Sequence, residues 1–179
     1  GSWPGSGISL KGDQGPQGVQ GDTGSQGPAG SNGTGAVARA IKTADQTAIG
    51  TSYATITDLA LPLAANKSYA FEFGLIMDAD ATTTGIDVSV SGPASPTSLD
   101  YRVDYWTTAT AVSFRGFTAY DGNTGSTGSN GATRKLFKVS GVIRNGANAG
   151  DLVPRAKREA VGTGPNCRAG SYGILTALD

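Results

Sequence analysis

The sequence predicts an all-β fold: a compact antiparallel β-sandwich, jelly-roll-like, carried on a collagen-like triple-helical stem in a homotrimer. Three observations lead there. Glycine recurs every third residue near the N-terminus, apolar residues recur every second residue in the remainder, and no window of ten or more residues shows helical spacing.

Twelve of the 28 glycines fall within residues 1–35. From Gly12 the chain reads Gly-Asp-Gln, Gly-Pro-Gln, Gly-Val-Gln, Gly-Asp-Thr, Gly-Ser-Gln, Gly-Pro-Ala, Gly-Ser-Asn, then Gly33, which is seven consecutive Gly-X-Y triplets. A triple helix needs that period because three polyproline-like chains share one axis and only a hydrogen atom fits there. Gly12, Gly15, Gly18, Gly21, Gly24, Gly27, Gly30 and Gly33 are the expected axis positions. A flexible linker needs the composition but not the period. Proline takes X at Pro16 and Pro28 and never takes Y, where Gln14, Gln17, Gln20 and Gln26 stand. Such a stem does not rely on hydroxyproline. At roughly 3.1 Å per residue it spans on the order of 65–70 Å. Seven proline-poor triplets are too few to hold three chains alone, so the rest of the sequence is expected to set stoichiometry and register. Residues 1–11 read as a leader or a cloning remnant, residues 12–35 as the stem and residues 36–179 as the head. No basic segment followed by an apolar stretch opens the chain, so no secretory signal is expected.

At Gly33-Thr34-Gly35 the register of three breaks, and Ala36 to Lys42 switch to a period of two. After the turns at Gly50-Thr51-Ser52 and Ala65-Asn66-Lys67, the set Tyr69, Phe71, Phe73, Leu75 and Met77 alternates with Ala70, Glu72, Gly74, Ile76 and Asp78. Ile86, Val88 and Val90 alternate with Asp87, Ser89 and Ser91. Beyond the turn at Gly92 to Pro96, Leu99, Tyr101, Val103 and Tyr105 alternate with Asp100, Arg102, Asp104 and Trp106. Val112 and Phe114 follow, then the turn-rich Asp121 to Gly131. Phe137, Val139, Gly141 and Ile143 form the next alternation, and Leu152 to Val161 and Tyr172 to Leu178 close the set. Short strands separated by Gly, Asn and Pro turns argue for a sandwich or barrel.

Composition excludes several functions. Histidine is absent, which removes the commonest general base and the commonest zinc ligand. The single Cys167 can build neither a disulfide framework nor a cysteine metal knuckle, and it has no base beside it to make a nucleophile. Formal net charge is zero, so the electrostatic footprint of a nucleic-acid binder is missing. No apolar run approaches the ~20 residues that a bilayer span requires. No enzyme activity, metal or cofactor is expected.

Charge is partitioned within the head. Residues 36–133 hold five basic and nine acidic groups, and residues 134–179 hold eight basic and three acidic. Arg134, Lys135, Lys138, Arg144, Arg155, Lys157, Arg158 and Arg168 form either a basic binding face or the partners of the acidic half. The latter is the simpler expectation. Asp78 and Asp80 read as a solvated strand end. Residues 121–131 begin like a calcium loop, but Ala132 stands where the bidentate glutamate belongs, so they read as a hairpin tip. Leu152-Val153-Pro154-Arg155 resembles a protease linker site but continues as strand and reads as native sequence. Trp106, with Tyr120, Asp121 and Asn123, combines rings, a charge and an amide-rich loop, the elements of a glycan contact. Trp106 equally suits a trimer interface, where aromatics are enriched.

A collagen-like stem on a β head occurs in the complement and tumour-necrosis-factor-like group and in the fibres and spikes of tailed bacteriophages. This sequence resembles the second, in Thr55-Ile56-Thr57-Asp58-Leu59, Ala65 to Phe71, Thr82 to Ile86, and Gly150-Asp151-Leu152 through Gly162-Thr163-Gly164 to Tyr172. The resemblance implies a virion structural protein on the particle surface, joined to other virion proteins through its N-terminal side. Its head would trimerise the stem and contact a host glycan or surface protein. The alternative is a capsid or collar decoration fibre with no receptor of its own. A depolymerase would need a carboxylate pair, for which Asp78/Asp80 and Asp100/Asp104 are the only nominees.

Overall fold

The computed structural model describes residues 1, 5, 12–18, 37–79, 85–108, 110–125, 133–159 and 164–179. By contact density the chain forms two units, Gly1–Ser31 and Asn32–Asp179. Within the first, Gly12, Gly15 and Gly18 carry no regular secondary structure in the single chain; the axis positions Gly21, Gly24, Gly27, Gly30 and Gly33 lie outside the described residues.

The second unit is all-β among the described residues, with strands β1 (Val37–Ile41), β2 (Ala54–Thr55), β3 (Leu61–Leu63), β4 (Ser68–Asp78), β5 (Ile86–Ser91), β6 (Ser98–Trp106), β7 (Val112–Phe117), β8 (Lys135–Arg144), β9 (Gly150–Arg158), β10 (Asn166–Cys167) and β11 (Tyr172–Ala177). Every pairing is antiparallel. One sheet has seven strands in the order β1-β11-β4-β8-β6-β7, with β10 also on β4; the other has four, with β9 paired to β2, β3 and β5. The pairings nest: β1 with β11, β2 and β3 with β9, β4 with β8. The second unit is thus a ribbon of paired strands folded into two layers.

The period of two decides what is buried. Tyr69, Phe71, Phe73, Leu75 and Met77 of β4, Leu99, Tyr101, Val103 and Tyr105 of β6, and Phe137, Val139 and Ile143 of β8 enter one core. Leu61, Leu63, Ile86, Val88, Val90, Leu152 and Ala156 join that core from the smaller sheet, so the two sheets share it as in a β-sandwich. Strand β5 departs from the alternation expected of it. Asp87 and Ser89 are as buried as their apolar neighbours, because Asp87 is capped by Thr124 and the Ser89 hydroxyl bonds the Tyr101 hydroxyl at 2.8 Å.

Two local features follow from residue chemistry. Pro154 lies inside β9 and has no N–H to give; its carbonyl accepts from Ile56 N at 2.9 Å, and residues 56–60, between β2 and β3, are the stretch where that edge is not laddered. At Arg168–Ser171 the chain leaves β4 for one turn between β10 and β11. Ser171 Oγ and the Arg168 N–H then take up the orphaned N–H and C=O of Ile76, at 2.9 and 2.8 Å.

Gly141 of β8 sits between Phe71 and Tyr101 in register. A Cβ there would stand 2.3 Å from the Asp100 carbonyl oxygen and 2.5 Å from Tyr101 Cβ. Gly141→Ala therefore forces the β6–β8 backbones apart and costs roughly 1–3 kcal/mol by overpacking. Denaturant unfolding of the variant beside the parent chain checks this; equal midpoints would contradict the packing.

Candidate functional site

Two surfaces stand out: the loop following β7, and the outward face of the seven-stranded sheet.

The loop is tied down by its own polar groups. Asp121 adopts a left-handed backbone, φ 55°, and its N–H bonds Val90 O at 3.0 Å. Its carboxylate pairs with Arg155, whose guanidinium also reaches Tyr53 O. Lys157 Nζ lies 4.5 Å from the centre of the Tyr53 ring and 3.5 Å from Asp87. Burial, followed by the Asp87 charge, pushes the Tyr53 hydroxyl well above its ordinary value. Tyr120 donates to Pro93 O at 3.1 Å, and Asn123 spends its side-chain oxygen on Gly125 N at 2.7 Å. Asp121 therefore serves Arg155, and the loop packs as structure against β5 and β9.

The predicted contact residues do not form one site. Tyr120, Asp121 and Asn123 cluster near the Tyr101 hydroxyl, which accepts from Gly122 N. Trp106 is five residues further along β6, roughly 17 Å away by strand rise, and on the opposite face of the sheet. Its indole N–H donates to Leu136 O at 2.9 Å, and Lys135 Nζ sits 4.3 Å from the centre of its ring. The nominated pair Asp100 and Asp104 lies roughly 13 Å apart along β6, and Asp104 is bound to Arg102. That spacing is too wide for two carboxylates flanking one glycosidic bond. Asp80 lies outside the described residues. Among the described residues, no group of three or more His, Cys, Asp or Glu could hold a metal, and no helix is long and apolar enough to cross a membrane.

Charge partition resolves as pairing within the chain. Arg134, Lys138, Arg155, Lys157 and Arg168 all meet acids of residues 36–133, namely Asp78, Glu72, Asp121, Asp87, and Asp45 with Asp78. Asp78 corrects the expectation of a solvated strand end. It is buried, takes Arg168 Nε at 2.6 Å and Nη2 at 2.9 Å, and accepts from Asn166 at 2.9 Å. Burial alone would raise its carboxyl, but the Arg168 and Asn166 hydrogen bonds outweigh that and hold it below 3.8. Cys167 is fully buried, and burial pushes its thiol up, as expected of an inert group.

The outward face of the large sheet is the feature that the sequence left unnoticed. Register places Val37, Thr176, Ala70, Val142 and Asp100 in one row, and Arg39, Ile174, Glu72, Ser140 and Arg102 in the next. Ile41, Tyr172, Gly74, Lys138, Asp104 and Phe114 make a third row. Ile76 pairs with Leu136 and Trp106 with Val112 beyond it. The described residues expose seven large apolar side chains, Val37, Ile41, Val112, Phe114, Leu136, Val142 and Leu178. Six lie on this face, and Leu178 follows β11 by one residue. In β1 the small Ala38 and Ala40 turn to the core while Val37 and Ile41 turn out. The charges at the centre are satisfied internally: Lys138 bonds Glu72 at 2.6 Å, Tyr172 donates to Glu72 at 2.8 Å, and Arg102 holds Asp104 and covers Phe114. The Lys138 hydrogen bond draws the Glu72 carboxyl below its usual range.

No protein-family model matches the chain, and no curated protein matches it in sequence. Among solved structures, the VP2 subviral particle of infectious bursal disease virus is similar over 81% of this chain and 42% of that one, at 14% identity and a TM-score of 0.25. The chain spans less than half of that neighbour's length, and so loose a superposition carries no argument about function.

Asp78 makes the pH dependence testable. A carboxyl lowered by folding stabilises fully above its ordinary value near 3.8, and that stabilisation is lost as pH falls through the lowered value. Asp78→Asn is expected to cost about 2 kcal/mol at neutral pH through the charge-assisted bonds to Arg168. Its stability should then fall less than the parent's on going from pH 5 to pH 2. Parallel slopes in denaturant unfolding across that range would contradict the network.

Proposed function

We propose that this chain is a homotrimeric, non-enzymatic virion protein, a phage fibre or spike, whose β head trimerises a collagen-like stem and contacts the host surface. The observation that carries the reading is the run of seven Gly-X-Y triplets, which ends at Gly33, four residues before β1. A triplet run has no use for its glycines unless three chains share the axis. Projection of a head on a stalk suits attachment, since three linked copies multiply a weak contact through effective concentration. The nested strand pairing supports a jelly-roll-like winding for the head, with β6 and β7 added to the larger sheet. The N-terminal side of the stem is the end assigned to other virion proteins, and the particle surface is the assigned location. The four nominated contact residues no longer support a single glycan site. Tyr120, Asp121 and Asn123 remain the tip candidates, and Trp106 goes with the outward sheet face.

Two measurements on the full chain test this. One chain is 18.0 kDa, so light scattering should give a mass of about 54 kDa for the trimer; a monomer contradicts the reading. Labelled trimer should then be retained saturably on some strains of a bacterial panel. Retention by no strain would contradict host contact and favour the decoration fibre.

A further inference from the structure

We propose that the outward face of the seven-stranded sheet is where three copies of this chain meet, a placement that rests on the trimeric reading above. A β-sheet in a soluble chain usually turns polar residues to water. Here the face that the core does not use carries Val37, Ile41, Val112, Phe114, Leu136 and Val142, all exposed in one copy. Six exposed large apolar side chains on one sheet face, set around the paired charges at its centre, mark an interaction site.

The occupant is a second and third copy of the same face. The glycine triplets require three chains at one axis, and the chain runs from Gly33 into β1 at Val37, an edge strand of this sheet. Contact among three copies around an axis is head-to-tail, so each copy presents two different surfaces. The face supplies two. At its β1–β11 end is a nearly apolar groove of about 350 Å³, lined by Arg39–Ile41 and Tyr172–Ile174. At its β8–β6–β7 end, Leu136 and Phe114 project, 53% and 68% exposed. These are the hole and the knobs of neighbouring copies.

Charge fits the same arrangement. Glu72 with Lys138, and Asp104 with Arg102, enter the interface already paired, which limits the desolvation cost. Arg39 on β1 and Asp100 on β6 have no ion pair among the described residues and stand at opposite ends of the face. Head-to-tail packing brings these opposite charges toward one another.

The test compares the full chain with Ile41→Glu, Leu136→Glu and Val142→Glu, with Ala149→Glu in the exposed β8–β9 turn as a control. Each is followed by light scattering at one concentration and by far-ultraviolet circular dichroism. The parent and Ala149→Glu should weigh about 54 kDa, three times 18.0 kDa, and each face variant should fall to the single-chain mass with its β signal intact. Face variants that keep the trimer mass would place the interface elsewhere while leaving the trimer standing. A parent of single-chain mass would overturn the trimeric reading and this one with it. Should the glutamates unfold the head, Leu136→Ala with Val142→Ala reads the same point: a trimer dissociating at concentrations at least about tenfold higher supports the face, and an unchanged profile overturns it.

Discussion

The alternation of side chains along β4 and β8 is the constraint on which the rest depends. Ten consecutive pairs, from Ser68–Arg144 to Met77–Lys135, lock these strands together. A slip of one residue would turn Phe71, Phe73, Leu75, Phe137 and Val139 out of the core at once. Fixing that register also fixes what the other face must carry. Glu72, opposite Ser140, reaches diagonally to Lys138, Ile76 meets Leu136, and Ala70 meets Val142. The core and the outer face are therefore written by the same two strands, in their odd and even positions.

The smaller sheet is held by different means. Its hub, β9, contributes Leu152 and Ala156 to the core but carries Arg155 and Lys157 on its other side. Those two cations organise Tyr53, Asp87 and Asp121, and so fasten the loop after β7. Arg168 does equivalent work at the end of β4, bridging Asp45 and Asp78. The basic C-terminal quarter is thus largely consumed by intrachain pairing.

Much of the fold was legible because its long strands are amphipathic. The alternations in Tyr69–Met77, Leu99–Tyr105 and Phe137–Ile143 name both the strands and their buried faces. Strands of two or three residues, β2, β3 and β10, have no period to show. Strand β5 buries both faces, so its Ser89 and Asp87 look solvent-facing until Tyr101 and Thr124 arrive from elsewhere. Asp78 could not be assigned either, since Arg168 lies 90 residues away. The outer face left a signal that strand patterning alone misreads. Hydrophobicity would turn Val37 and Ile41 inward, yet the core takes Ala38 and Ala40 instead. Large residues outside and small ones inside fit the proposal that the outside is covered. Trp106 stands apart from Tyr120, Asp121 and Asn123 because these gather near the Tyr101 hydroxyl, on the face of β6 opposite Trp106.

In the proposed trimer, three chains share one axis, with the glycine triplets as a rod and the β unit as the element that sets the stoichiometry. Small-angle X-ray scattering of the full chain tests this most directly, since one curve gives both mass and extent. The proposed trimer should give forward scattering for three chains of 18.0 kDa and the signal of a rod-like section on the order of 65–70 Å. Forward scattering for one chain, with the profile of a compact body trailing a flexible tail, would contradict it.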